Sequence, residues 1–174
     1  MTENNSSISK LHNLLDYDAR NFIIAEIQLK NILSEWIIIA GSLKLKAVLQ
    51  KYLEFVKQHV VKMEGFIEEE DISSLSLNNR VMKAFIDETE ERLGNCAEAA
   101  IKDACLLASV QIINHYKIST YGTAAAFANA LGMEHAANIF HDAEVNEKQI
   151  DDRLSQLAEH EVNINARTPI FLQG

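Results

Sequence analysis

Four polar residues interrupt four helical apolar stripes in this sequence, one on each stripe. All four are glutamate or histidine, the residue types that commonly serve as metal ligands. They are Glu26, His59, His115 and Glu147. Burying a carboxylate or an imidazole is unfavourable unless the group is paired, hydrogen-bonded or bound to a metal. One inward residue of this kind on each of four helices indicates a metal-centred four-helix bundle, or the remains of one.

The chemistry open to this set depends on the ligands it supplies. Two imidazoles and two carboxylates suit a single zinc or iron ion, and manganese is a further candidate. Glu144 precedes Glu147 by three residues, so both carboxylates can face the same way, but Glu147 is the better inward candidate and a surface position is favoured for Glu144. The alternative is a metal-free network in which His59 bonds Glu26 directly. The residue types alone leave both interpretations open.

Long amphipathic helices carry these residues, and they are recognised by apolar side chains at 100° intervals. The predicted long helices cover roughly 8–40, 43–70, 96–120 and 133–161, with shorter ones over 80–93 and 124–130. Gly41 and Ser42 are typical of a helix stop followed by an N-cap. The Tyr121-Gly122-Thr123 segment is predicted to break the third long helix. These elements predict a four-helix bundle.

Composition favours one globular, helical domain. The chain has 174 residues, of which 48% are hydrophobic and 24% charged, and this is enough for one ordinary core. One proline and six glycines favour long helices over many short strands. The bundle is predicted over 10–163, after a disordered leader at 1–9. The tail at 164–174 contains an apolar cluster at 170–172 that could dock on the bundle or on a second subunit.

The net charge of −9 argues against nucleic acid and anionic membranes as partners, because both attract basic surfaces. The N-terminus lacks the residue order of a signal peptide. The apolar run at 37–39 is far too short to cross a bilayer. A cytoplasmic location is therefore expected.

The two cysteines are predicted to be structural. Cys96 and Cys105 stand nine residues apart, most simply on one helix, and that placement does not suit a disulfide. Without a CxxC spacing they are interpreted as buried, small apolar groups in a reducing compartment.

The residues around the candidate site resemble the YciE/YciF-type ferritin-like proteins of bacteria. The most specific segment is His115-Tyr116 with Ile118 and Tyr121-Gly122-Thr123, and the weaker ones are Ala25-Glu26, Ala130-Leu131-Gly132 and Glu147-Lys148. The likeness covers roughly residues 14–161. It implies an all-α fold, an antiparallel four-helix ferritin-like bundle with one or two short accessory helices. It also implies a homodimer, a link to stress responses and kinship with di-metal carboxylate proteins.

The chain departs from the family pattern where a metal centre would need its ligands. The family usually has Glu just before and two residues after the histidine of the His-Tyr segment, and this chain has Asn114 and Lys117 there. Before His59 it has Phe55 and Val56, where the family is richer in carboxylates. A di-iron site in a bundle uses about four carboxylates and two histidines. With this resemblance, the sequence predicts a stress-related ferritin-like protein that has a degenerate or absent di-metal site and is non-enzymatic or only vestigially metal-binding.

Two other functions stay open. The first is a metalloprotein that holds one Fe, Mn or Zn ion and reacts with peroxide or oxygen. Its candidate ligands are Glu26, His59, His115, Glu144 and Glu147. The second is an interaction protein that presents its acidic helices or its apolar tail to a protein partner.

Overall fold

The structure is a computed structural model that describes residues 8–72 and 78–167. Across these two ranges the regular secondary structure is entirely helical. Its elements are α1 (Leu11–Ile39), α2 (Leu43–Glu69), α3 (Arg80–Asn95), α4 (Ala99–Ala130) and α5 (Glu134–Leu157), followed by a π-helical turn (Ala158–Val162) and α6 (Asn163–Arg167). The predicted apolar cluster at 170–172 and most of the predicted leader lie outside the described residues.

Four long helices form the bundle. α1 packs against α2 and α4, and α5 packs against the same two helices. The α1–α2 and α4–α5 pairs are each joined by three residues, which makes each pair an antiparallel hairpin. α3 is the accessory helix and lies against α4 and α1. The predicted all-α, four-helix ferritin-like bundle is thereby confirmed. No helix within the described ranges combines the length and the apolar composition needed to cross a bilayer.

The corner between α1 and α2 is fixed by caps. Ser42 is the N-cap of α2, as predicted, and its hydroxyl accepts a hydrogen bond from the Leu45 amide at 3.2 Å. Asp103 of α4 accepts from the amides of Gly41 and Ser42, both at 2.8 Å. A Cβ at Gly41 would lie 3.2 Å from the Asp103 carboxylate, so a larger residue would crowd this bond.

The predicted break at Tyr121-Gly122-Thr123 is wrong, because α4 runs through this segment to Ala130. Gly122 serves helix packing instead of ending the helix. A Cβ there would lie 3.1 Å from Glu144 Oε1 of α5. The glycine therefore lets the two helices approach closely.

The apolar core is divided into two clusters along the bundle axis. One contains Trp36, Leu49, Leu106 and Ile150, and the other contains Phe22, Met63, Phe66 and Phe140. Along each long helix the two clusters meet where a polar residue is buried: Glu26 on α1, His59 on α2, Lys117 on α4 and Glu147 on α5. The helices thus place four polar side chains at one level.

Candidate metal centre

Three of the five predicted ligands converge. Glu26, His59 and Glu147 each offer one ligand atom, and these atoms lie within 4.8 Å of one another. All three side chains are buried, with 0–2% of their surface exposed. The site is therefore closed to bulk water, and every charge in it must be balanced locally.

The structure does not bring His115 and Glu144 to this point. The His115 side chain is 63% exposed, and its Nε2 lies 2.8 Å from Asp151 Oδ1. The inward face of α4 is formed by Asn114, Lys117 and Tyr121, and His115 is rotated from Asn114 by about 100°. Glu144 pairs with Lys148 at 2.6 Å, at the contact between α4 and α5.

Lys117 completes the site, although sequence reasoning did not place it there. Its Nζ lies 3.0 Å from Glu26 Oε2 and 2.5 Å from Glu147 Oε1. It also lies 4.8 Å from the centre of the Tyr52 ring, over its face. The sequence does contain one sign of this placement, because Lys117 follows Asn114 by three residues and so lies on the same face of the helix. A buried ammonium thus lies between the two carboxylates.

Hydrogen bonds hold both carboxylates in place. Glu147 Oε2 accepts from the Tyr52 hydroxyl and from Asn114 Nδ2, each at 2.7 Å. Glu26 Oε1 accepts from the Tyr121 hydroxyl and, at 3.3 Å, from His59 Nδ1. Glu26 Oε2 has no hydrogen bond of good geometry, so Lys117 holds it by charge.

The histidine is oriented by a residue of α5. Asn146 Nδ2 lies 3.2 Å from His59 Nε2 and donates to it, which leaves His59 Nδ1 as the donor to Glu26. The ring also packs edge-on against Tyr121, with 5.5 Å between ring centres. Both ring nitrogens of His59 are therefore hydrogen-bonded within the protein.

The charges shift the ionisation of the cluster. Burial alone would raise the pKa of Glu26, but the Lys117 ammonium and the hydrogen bonds from His59 and Tyr121 lower it to about 2. Burial disfavours the Lys117 ammonium, yet the carboxylates of Glu147 and Glu26 outweigh this and raise its pKa. Burial, and then the adjacent carboxylates, raise the pKa of Tyr52 and of Tyr121 well above the ordinary value. At neutral pH the cluster is therefore a lysine–carboxylate ion network with phenolic donors.

These residues do not fit the di-metal centre that the family resemblance implies. Such a centre uses about four carboxylates, whereas this one offers two and an ammonium. Two buried acceptors, Glu26 Oε2 and Asn114 Oδ1, lack hydrogen-bond partners and could serve a single cation. The Lys117 ammonium already contacts both carboxylates, so a metal ion would have to displace it.

The fold and the buried polar layer define a ferritin-like helical bundle. The chain belongs to the family described as Domain of unknown function (DUF892), which it matches over residues 10–167. It is 30% identical over 145 residues to Protein YciF of Escherichia coli K12, and the match covers 82% of this chain and 86% of YciF. The predicted YciE/YciF-type resemblance is confirmed.

Two solved structures share the fold. The E. coli stress protein YciF superposes with a TM-score of 0.83 at 25% identity, covering 90% of this chain and 99% of YciF. YcfI from Rhodopseudomonas palustris superposes with a TM-score of 0.82 at 24% identity, covering 87% of this chain and 96% of YcfI. The bundle described above is thus the fold of experimentally determined relatives.

Proposed function

We propose that this chain is a stress-related ferritin-like protein in which a buried lysine takes the place of the metal centre. The observation that carries this proposal is the position of Lys117 Nζ, within 3.0 Å of Glu26 and 2.5 Å of Glu147. In this view the polar core holds the bundle in register and performs no redox chemistry.

The charge balance of the site supports the proposal. Residues 114 and 117 are carboxylates in the family pattern, and here they are an amide and an ammonium. One ammonium therefore offsets one of the two remaining carboxylates, and phenol and amide hydrogen bonds stabilise both. A metal ion is no longer needed to neutralise the two carboxylates, and the positive charge of Lys117 would repel it.

The link to stress rests on the relatives. The solved E. coli structure is that of a stress protein, and it superposes over nearly the whole of both chains. Without a redox centre, the protein would act in the stress response by binding a partner and not by catalysis.

Elemental analysis tests the proposal. The native protein, purified without a metal-affinity step, should contain Fe, Mn and Zn only at background, and Glu26→Gln should leave that content unchanged. A stoichiometric transition metal in the native protein that disappears in Glu26→Gln would overturn the proposal.

A second candidate function is a metalloprotein with one Fe, Mn or Zn ion held by Glu26, His59 and Glu147. It is favoured by the spacing of their ligand atoms, all within 4.8 Å, and by Asn114 Oδ1, a buried acceptor that has no hydrogen bond. Binding of added Mn²⁺ or Zn²⁺ by native protein and by Lys117→Met separates the candidates. Binding by Lys117→Met alone identifies the lysine as the group that excludes metal. Equal binding by both proteins favours the metalloprotein.

We further propose that the chain forms a homodimer, as its family resemblance implies. Sedimentation equilibrium at micromolar concentration should give twice the 19.5 kDa mass of the chain. A single species at the mass of one chain would contradict the proposal.

A further inference from the structure

The two cysteines lie at a corner of the fold instead of on one helix, which corrects the expectation from their spacing. Cys96 is the C-cap of α3, and Cys105 is the seventh residue of α4, which begins at Ala99. On one continuous helix, nine residues would separate them by about 13 Å. Because the chain turns between the two helices, both cysteines line one small surface pocket, together with Arg92 and Ile101.

The two cysteines face one pocket, and neither is deeply buried. The Cys105 thiol lies close enough to Cys96 and to Ser109 for both residues to affect its ionisation. The Cys96 thiol donates to the Arg92 carbonyl oxygen at 3.2 Å. Both side chains are half-buried. The predicted buried, structural thiols are thus a solvent-reachable pair.

The two sulfurs differ in their surroundings. Burial raises the pKa of the Cys105 thiol, and the adjacent Cys96 raises it further, while the Arg92 charge opposes the shift. Cys96 lies outside the last turn of α3, in an extended conformation with φ −86° and ψ 119°. Burial disfavours the Cys105 thiolate, so we assign Cys96 as the sulfur that a small oxidant attacks first and Cys105 as the sulfur that reacts with its product.

We propose that Cys96 and Cys105 form a dithiol site that hydrogen peroxide converts reversibly into an intramolecular disulfide, tying the end of α3 to α4. Two cysteines that line one pocket and interact with each other are placed to reach an S–S bond of about 2.05 Å by side-chain rotation. At the C-cap, that rotation breaks only the hydrogen bond from the Cys96 thiol to the Arg92 carbonyl oxygen and leaves the backbone hydrogen bonds of α3 intact.

The oxidation proceeds in two balanced steps. The Cys96 thiolate attacks one peroxide oxygen, the O–O bond breaks, and the leaving hydroxide takes a proton to become water. The Cys105 thiolate then attacks the sulfur of the resulting sulfenic acid, the S–O bond breaks, and a second water leaves. Together the two thiols give up two electrons, and one peroxide molecule is reduced to two waters.

Peptide mapping of the full-length protein tests this site. After mild peroxide treatment both thiols should be lost, with a mass decrease of about 2 Da that dithiothreitol reverses. Lys102 lies between the cysteines, so trypsin under non-reducing conditions should release residues 93–102 linked to 103–117. Thiols that stay free, link only between chains or become sulfinic acids without a link would overturn the proposal.

The single-cysteine variants are matched controls, because each retains one thiol. Cys105→Ser should accumulate a sulfenic acid at Cys96 that a sulfenic-acid trap captures. Cys96→Ser should react at least several-fold more slowly with the same peroxide. Equal rates in the two variants would contradict the assigned order of attack.

Discussion

Replacing Lys117 with methionine removes the one buried cation of the described core and nearly preserves side-chain volume. The substitution leaves the carboxylates of Glu26 and Glu147 facing each other with almost no exposed surface. Removing one partner of a buried ion pair destabilises a protein by about 3–5 kcal/mol. We expect a loss of about 4 kcal/mol at pH 7, since two pairs are broken and the loss is limited only by protonation of one carboxylate.

The pH dependence gives this prediction its distinctive sign. In the native protein the pKa of Glu26 is lowered to about 2, so acid removes stability. Removing Lys117 takes away the largest cause that lowers this pKa, so we expect burial to raise it and the folded state to bind protons more tightly than the unfolded state. The free energy of unfolding of Lys117→Met should therefore rise as the pH falls from 7 to 5, while that of the native protein stays level.

Urea unfolding followed by circular dichroism at pH 7 and pH 5 measures both effects. Lys62→Met is the matched control, because Lys62 pairs with Asp142 at 3.2 Å on the surface and its loss should change stability by less than about 1 kcal/mol. A Lys117→Met protein within about 1 kcal/mol of native at pH 7, with no rise toward pH 5, would refute the ion network.

Three further predictions follow from the same contacts. The free energy of unfolding of the native protein should fall by about 3 kcal/mol as the pH falls from 4.5 through about 2. In urea unfolding at a series of pH values, Glu26→Gln should show a smaller acid-induced loss. A loss of the same size in Glu26→Gln would show that it arises from other groups. Tyr121→Phe, which removes a hydrogen bond to Glu26, should lower the free energy of unfolding by about 1.5–3 kcal/mol, whereas the exposed Tyr17→Phe should have almost no effect. Asn114→Glu combined with Lys117→Glu restores the carboxylates of the family pattern. Added Fe²⁺ or Mn²⁺ should therefore raise the Tm of this variant and not that of the native protein. If metal leaves the Tm of the variant unchanged, Lys117 has not taken the place of a metal ion.

The helices and part of the site were predictable from the sequence for a simple reason. Apolar residues at helical spacing define the buried face of α1, α2 and α5, and Glu26, His59 and Glu147 stand on those faces. A buried carboxylate on an apolar stripe needs a partner, so convergence could be inferred before any coordinates. Ser42 was likewise identified, because a residue of its type after Gly41 is a common helix N-cap.

The inward face of α4 could not be assigned from the sequence. This helix is apolar on most of its circumference, so its pattern does not distinguish the side that carries His115 from the side that carries Lys117. A lysine also has a long stem that usually reaches solvent, which makes burial an improbable first interpretation. Gly122 posed a similar ambiguity, since a glycine that ends a helix and one that permits close packing look the same in one sequence.

The charge of Lys117 itself is the most direct test of a lysine in place of the metal. NMR detection of the side-chain nitrogen in uniformly ¹⁵N-labelled protein, assigned by its loss in Lys117→Met, reports whether the group is an ammonium. It should stay an ammonium beyond pH 10.5, because its pKa is raised, and added Zn²⁺ or Mn²⁺ should leave its signal unchanged. A neutral amine at pH 7, or a signal that shifts as stoichiometric metal binds, would contradict the account.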